Sequence, residues 1–460
     1  MENRLPKSWI NLKLSEAVFF QEGPGLRTHQ MGENGVPFLN IRTFNDNETL
    51  DKSKCRFVKM EEFKNKYEHF LLNEGDIVVS SSGTLGKAIV IKKEDMPVML
   101  NTSVIRFRSI SEELLTQKFL KYFLKSEMFF SQIQEQKTGM AIDNYGPSHL
   151  QQMQMVLPPL KEQQRIVATL DELMEKIDRS RARLERIPKI LKRFRQSILS
   201  AAVSETGNPT FTEEICEIIQ IGPFGTQLHR HDYISNGIPL INPTHIQAGQ
   251  VIPDAEFTIS KKKFLELSNY HLKEGDVIMG RRGEMARCAL IGAKEDGWLC
   301  GTGSLFFRPN NKLITPQYLY WLLSNSNTKE FLESESKGTT MSNLNLSIAK
   351  RVPIYLPSIE EQKRIVNRVE KLFSLADKIE ARYTKAKAQL DKLPQSLLAK
   401  AFRGELVPQY STDEPASVLL ERIKKEKATP AGKTKKLKRY EIEEEKLSLA
   451  AESTMKYNSP

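Results

Sequence analysis

The sequence predicts an α+β protein made by tandem duplication, in which two mixed α/β domains alternate with two long antiparallel coiled-coil helices. Three observations predict it. A block near residue 157 returns near residue 356, each block opens a stretch whose apolar residues recur in a 4-3 rhythm, and upstream of each lies a series of short β-rich runs separated by glycine turns.

The repeat is extensive. Leu157-Pro158-Pro159-Leu160-Lys161-Glu162-Gln163-Gln164-Arg165-Ile166-Val167 is answered by Leu356-Pro357-Ser358-Ile359-Glu360-Glu361-Gln362-Lys363-Arg364-Ile365-Val366, an offset of 356 − 157 = 199. Gln196-Ser197-Ile198-Leu199 matches Gln395-Ser396-Leu397-Leu398 at the same offset, and Leu72-Asn73-Glu74-Gly75-Asp76-Ile77 matches Leu272-Lys273-Glu274-Gly275-Asp276-Val277 one position further on. The drift implies small loop insertions between two copies of one fold.

In the first copy Asp76 to Ser80, Ala88 to Ile91 and Ser103 to Phe107 have the composition of short strands. The second copy repeats them at Asp276 to Met279, Ala289 to Ile291 and Ser304 to Phe307. Thr315 followed by Pro316 predicts an N-cap and first turn for a helix through Tyr318, Leu319, Leu322 and Leu323.

The long helices follow the repeated blocks. Ile166, Leu170, Leu173, Ile177, Leu184, Ile187, Leu191, Phe194 and Ile198 form one seam, and Ile365, Val369, Leu372, Ala376, Ile379, Tyr383, Ala386, Leu390, Leu393 and Leu397 form the other. A helix from Glu162 to Ser200 would be about 58 Å long, more than one domain needs. Two such helices packed antiparallel are expected to act as a spacer, with Pro188 and Pro394 bending them. The cations Arg179, Arg181, Arg183, Arg186, Lys189, Lys192, Arg193 and Arg195 face a lone Glu185. They read either as a solvated face suited to a helix C-terminus or as contacts with phosphate or an acidic partner.

At 460 residues the chain has room for two to four domains, and 39% hydrophobic with 27% charged residues is ordinary for a soluble protein. A formal charge of +11 favours an anionic partner, nucleic acid among them. No stretch reaches the ~20 apolar residues of a membrane span, and Met1 to Pro6 lack the apolar run of a signal peptide. Cys55, Cys216, Cys288 and Cys300 are scattered, which indicates neither a zinc site nor a disulfide framework, so a cytoplasmic setting is expected.

Catalytic signatures are missing. Ser82 to Ala88 lacks the leading glycine and closing Ser or Thr of a phosphate loop, and Gly301-Thr302-Gly303 is too short for a dinucleotide fingerprint. The Asn/Asp-Pro-Pro-aromatic signature of amino-methyltransferases is absent, Asn242-Pro243-Thr244 being the nearest approach. His229, His231 and Asp232 suit a polar loop on a recognition face better than a metal centre. The loops themselves diverge: Ser80-Ser81-Ser82-Gly83-Thr84-Leu85-Gly86-Lys87 in one copy becomes Gly280-Arg281-Arg282-Gly283-Glu284-Met285-Ala286-Arg287 in the other. A shared frame with different loop chemistry is expected of two domains that read different targets.

With these residues in view, the chain resembles the specificity subunit of type I restriction-modification systems. The resemblance rests on the Leu-Pro-x-x-x-Glu-Gln-x-Arg-Ile-Val blocks, the Gln-Ser-x-Leu helix ends, Phe402-Arg403-Gly404-Glu405-Leu406-Val407, Leu5-Pro6-Lys7-Ser8-Trp9 and Glu414 to Leu420. The first copy departs by lacking Arg-Gly-Glu-Leu after its helix. The resemblance, which covers about residues 1–425, implies target-recognition domains at 1–155 and 206–353 and conserved helical regions at 156–205 and 354–407; at 408–460 the alternating charge runs with few large apolar residues are expected to form a short helix and a mobile charged tail. It implies a non-catalytic chain that reads a split, asymmetric site in double-stranded DNA and joins two modification (methyltransferase) subunits, with restriction (endonuclease and translocase) subunits as a further addition. S-adenosylmethionine, ATP and Mg are then expected on those partner subunits, and no cofactor or metal on this chain.

Candidate DNA contacts in the first copy are Arg27, Asn40, Arg42, Ser81, Thr84, Lys87, Asn144 and Tyr145. In the second they are His229, Arg230, Asn242, Thr244, His245, Arg281, Arg282, Thr339 and Asn343. Arg suits guanine and Asn adenine in the major groove, whereas Lys and Thr as often touch phosphate. A coiled-coil scaffold presenting two protein-binding modules would also explain helices and duplication, but not the basic balance with Arg-rich divergent loops.

Overall fold

The computed structural model describes residues 5–45, 47–81, 87–135, 145–203, 208–284, 286–336 and 344–428. The chain forms two compact units, Met1–Arg181 with Ala388–Pro460, and Ala182–Lys387. The division falls inside the long helices, so each unit holds one mixed domain and a part of both helical regions.

Each unit is built around the same four-stranded antiparallel sheet. In the first the order is Val18–Glu22, Val104–Ser109, Ile77–Ser80, Ala88–Val90; in the second it is Cys216–Ile221, Ser304–Pro309, Val277–Gly280, Cys288–Leu290. The registers agree, Ile77 facing Phe107 and Val277 facing Phe307. Ile77–Ser80 and Val277–Gly280 are buried along their whole length, which is why Ile77 to Val79 and Val277 to Met279 read as apolar runs. Ile77, Val79 and Phe107 pack on the helix Gln117–Leu124 through Phe119 and Phe123, while Val78 and Val104 face a second core with Leu39, Leu72 and Leu100.

The Glu-Gly-Asp motif shapes the turn into the central strand. Gly75 and Gly275 take φ values of +85° and +91°, which side chains rarely adopt. Asp76 and Asp276 then accept the amides of Asn73 and Lys273 at 2.8 Å and are buried against Arg108 and Arg308, with Nε to Oδ1 distances of 2.7 and 2.8 Å. The copies differ two residues earlier on the strand that carries these arginines, which lies inside the sheet. Phe306 completes an apolar core, whereas Arg106 in its place donates to the Leu71 carbonyl at 2.9 Å and pairs with Gln21 and Asp76.

In separate two-stranded sheets, Ile10–Lys13 pairs with Gln154–Leu157, and Asn208–Phe211 with Pro353–Leu356, bringing the entry and exit of each domain together. Thr116 caps its helix by accepting the Phe119 amide, but Thr315, in the same position before Pro316–Ser324, makes no such bond.

The expected single helix from Glu162 to Ser200 is two helices, Leu160–Leu184 and Ile187–Ala202. Pro188 lies in the first turn of the second, where its missing N–H is tolerated, and its ring would clash with the Leu184 carbonyl in a continuous helix. Ile359–Phe402 runs unbroken for 44 residues with Pro394 inside it. The helices are antiparallel within each unit. In the second, Arg195 pairs with Asp377 and Glu380 while Ile198 packs with Val369; in the first, Arg181 reaches Asp391 while Ile166 and Leu170 share a core with Leu398 and Phe402.

Of the expected seam, Ile166, Leu170, Ile177, Leu191 and Val369 are buried, and Leu173, Leu184, Ile365, Leu372, Leu390 and Leu397 are half-buried. Ile379 and Leu393 instead are exposed, and Leu398 rather than Leu397 is buried. A helix near 3.6 residues per turn drifts by about 20° per heptad against a strict seven-residue repeat, so the buried position moves over by one along a helix this long.

The segment after the second long helix belongs to the first unit's core. Phe402 sits edge-on to Phe119 and Phe123 at 5.3 and 5.7 Å, and the helix Ala416–Ala428 buries Leu419 and Ile423 with Trp9, Leu12 and Leu14. Residues 429–460, including the expected charged tail, lie outside the described residues. Among the described residues no helix is long and apolar enough to cross a membrane.

Candidate nucleic-acid interface

One end of each main sheet gathers the loops in which the copies differ. In the second unit Ile221 faces Leu305 and Gly280 faces Ser304, so the chain leaves Cys216–Ile221 at Gly222, leaves Val277–Gly280 at Arg281 and enters Ser304–Pro309 through Gly301-Thr302-Gly303, all at that end. The approach is close: a Cβ on Gly222 would lie 1.9 Å from the Gly301 carbonyl oxygen. Asn242 and Pro243 arrive from the smaller sheet that contains Ile238–Ile241. Asn242 Oδ1 accepts the Gly303 amide at 3.4 Å, and Pro243 lies against Gly280 and Gly303. Tyr233, whose phenol burial pushes up, lies against Asn242 and Thr302.

The first unit repeats the backbone frame. The Ser81 amide donates to the Ser103 carbonyl at 3.0 Å and the Tyr145 amide to the Ser81 carbonyl at 3.1 Å; the Arg281 amide donates to Gly303 at 2.9 Å and the Leu344 amide to Arg281 at 3.0 Å. Gly23 meets Asn101 as Gly222 meets Gly301. One frame therefore holds serine in one copy and arginine in the other.

Several candidates are exposed: Arg27, Arg42, His229, Arg230, Thr244 and Arg282. Asn40 and Asn242 are half-buried, Asn40 spending its oxygen on the Arg42 amide at 2.9 Å. Lys87 is half-buried and its amide donates to Ser80 Oγ at 3.0 Å. His229 stacks on His231 in a loop held by Asp232, apart from the sheet-end cluster in its hydrogen bonding. Thr84, Asn144, Thr339 and Asn343 lie outside the described residues.

Three expectations are corrected. Tyr145 is a core residue, its ring edge-on to Phe129 at 6.1 Å, so its phenol does not reach a base. Ser81 is buried, with Oγ 3.4 Å from the Thr102 carbonyl. His245 is buried with Nδ1 3.1 Å from the Leu240 carbonyl, and burial lowers its pKa, which favours the neutral ring.

Arg281 is the candidate with the most defined surroundings. Its Nε donates to the Leu344 carbonyl at 2.8 Å and its Nη1 lies 3.5 Å from the Thr302 carbonyl. Burial, and then the charge of Arg282, hold its guanidinium pKa below the usual value. Sequence reasoning missed Tyr233, Thr302 and Arg287 as members of this cluster; the only signal for Arg287 was a cation matching Lys87 at the end of the divergent loop.

Comparison with known proteins follows the same division. The family profile described as type I restriction modification DNA specificity domain matches twice, over residues 6–189 and 211–388. The type I restriction enzyme EcoBI specificity subunit of Escherichia coli is 29% identical over 94% of this chain and 95% of its own length. The EcoKI specificity subunit of Escherichia coli (strain K12) is 28% identical over 94% and 98%. A solved chain described under complex assembly and conformational transition of the type I R-M system superposes with a TM-score of 0.64 at 19% identity, covering 88% of this chain and 100% of that one. The HsdS subunit from Thermoanaerobacter tengcongensis gives 0.56 at 18% identity, covering 88% and 98%. These two structures share the fold, and the profile spans both repeats: the chain belongs to the type I restriction-modification DNA specificity family.

Proposed function

We propose that this chain is the DNA-specificity subunit of a type I restriction-modification complex, reading a bipartite, asymmetric site with one domain per half and directing partner subunits to methylate adenine or cleave DNA. The observation that carries the reading is the sheet-end loop, where matched backbone hydrogen bonds hold a buried serine, Ser81, in one copy and a half-buried arginine, Arg281, in the other. A common frame with different side chains gives two half-sites of different sequence. In this reading the helices Leu160–Leu184, Ile187–Ala202 and Ile359–Phe402 would set the spacing between the half-sites.

The chemistry is assigned to the partners. Two modification subunits would bring S-adenosylmethionine and the pocket into which an adenine is flipped, while this chain reads the sequence beside it. Restriction subunits, where present, would bring ATP and Mg. The test is long-read methylation mapping of cells expressing this chain with a modification subunit of the same system, against cells lacking only this chain. A split N6-methyladenine motif that vanishes without the chain upholds the proposal; no chain-dependent motif from an active modification subunit refutes it.

A further inference from the structure

The hairpin between Val277–Gly280 and Cys288–Leu290 carries Arg281, Arg282 and Arg287, where the first copy has Ser81 and Lys87 in the matching framed positions. Elsewhere, arginines that are half-buried meet carboxylates: Arg108 meets Asp76 at 2.7 Å, Arg308 meets Asp276 at 2.7 Å, Arg165 meets Asp413 at 2.6 Å and Arg195 meets Asp377 at 2.5 Å. Among the described residues Arg281 forms no ion pair, and the charged group beside it is another arginine. The buried Nε of Arg287 also has no hydrogen-bond partner among the described residues.

A cation drawn partly out of water without a counter-charge is unfavourable, so a site that holds one in place is shaped for an acceptor that arrives from outside. The bonds to Leu344 and Thr302 define what is left to bind it. With Nε engaged on one carbonyl and Nη1 turned towards the other, the outer N–H groups of Nη1 and Nη2 remain as two parallel donors. That fork matches the O6 and N7 pair of guanine in the major groove. A phosphate would also accept it. The fixed position of Arg281 at the end of the sheet favours a base edge, whereas the exposed Arg282 beside it suits the backbone.

We propose that Arg281 reads a guanine in the half-site of the second domain while Arg282 contacts an adjoining phosphate, and that the first domain, with Ser81 in the same frame, reads its half without this contact. The inference rests on the DNA-specificity reading above. Its test is the methylation motif of the whole complex carrying wild-type chain, R281A, R281Q or R282A. The expected result is a G·C pair in the second half-site of the wild type at which R281A and R281Q admit other bases. Discrimination there should fall roughly 5- to 150-fold, the equivalent of losing a contact worth about 1–3 kcal/mol, with the first half-site unchanged. R282A should keep the motif, lower methylation at all sites evenly and reduce the salt dependence of binding by about one phosphate contact.

A second half-site without a G·C pair overturns the inference, as does an unchanged motif in R281A and R281Q. An even loss in R281A and R281Q, matching R282A, makes Arg281 a phosphate contact only and overturns it too. Should R281A lose methylation altogether, R281Q, closer in size, decides by the same criterion. Failure of the underlying function is separate, because the wild type would then give no chain-dependent motif.

Discussion

Gln163 accepts the Thr116 amide at 3.0 Å, and in the second copy Gln362 accepts the Thr315 amide at 2.9 Å. The same side chains donate to two carbonyls each, Leu114 and Pro158 at 2.8 and 3.0 Å, Leu313 and Pro357 at 2.9 and 2.9 Å. Each glutamine is fully buried and ties the start of a long helix to the helix of its domain. This is the physical content of the Glu-Gln pair in the repeated block: a buried amide with three bonds that no apolar residue reproduces.

Replacing Gln163 by Leu would strand one amide and two carbonyls in the first unit. Each buried group left without a partner costs about 1–3 kcal/mol, so Q163L should lower stability by roughly 3 kcal/mol or more. Thermal unfolding followed by hydrogen exchange should place the loss around Thr116 and Leu114 and leave Thr315 protected. Q362L should give the reverse pattern. Equal loosening of both regions by either variant would contradict the independence of the two locks.

The C-terminal helix distinguishes the copies. Ile10, Leu12 and Leu14 of the first unit occupy the register positions of Asn208, Thr210 and Thr212 in the second, so the edge that Leu419 and Ile423 cover is apolar in one copy and polar in the other. Truncating Leu419 and Ile423 to Ala should cost about 2–5 kcal/mol at each position. Hydrogen exchange should quicken in Ile10–Lys13 and stay unchanged in Asn208–Phe211. Unaltered protection of Ile10–Lys13 would show that the helix does not hold that edge.

Glu162 predicts a pH effect. Burial raises its carboxyl above the ordinary value, with the neighbouring Trp9 and Arg165 pulling it back. A raised pKa in the folded state means that folding takes up a proton, so this group's contribution to stability falls as pH rises from the unfolded value near ~4.3 through the folded one. E162Q should therefore be more stable than wild type at neutral pH, with the gain disappearing below about pH 4. Thermal midpoints across pH check this. E361Q is the control, since Glu361 pairs with Arg364 at 3.3 Å on the surface. A gain from E162Q that is independent of pH would contradict the assignment.

Much of this architecture was legible in the sequence for a definite reason: the repeat and the apolar runs around Ile77 and Val277 record burial on both faces of the sheet, a demand that local pattern carries. The rest depended on tertiary context. The 4-3 rhythm ran through Pro188 and did not reveal that its ring ends the preceding helix at Leu184. Leu398 displaced Leu397 because helical drift accumulates over several turns. Tyr145 stands in a polar loop sequence, and only packing against Phe129 makes it core. Of the candidate site, Arg281 and Asn242 were legible from residue type, while the carbonyls of Leu344 and Thr302 that hold Arg281 come from loops remote in sequence.

Whether two domains with one frame read two different half-sites is decided by the methylation motif of a chain in which residues 206–353 are replaced by a second copy of residues 1–155. The second half-site should disappear and the motif become two copies of the first, separated by a spacer of unchanged length. A motif that keeps the original second half-site after the exchange would contradict it.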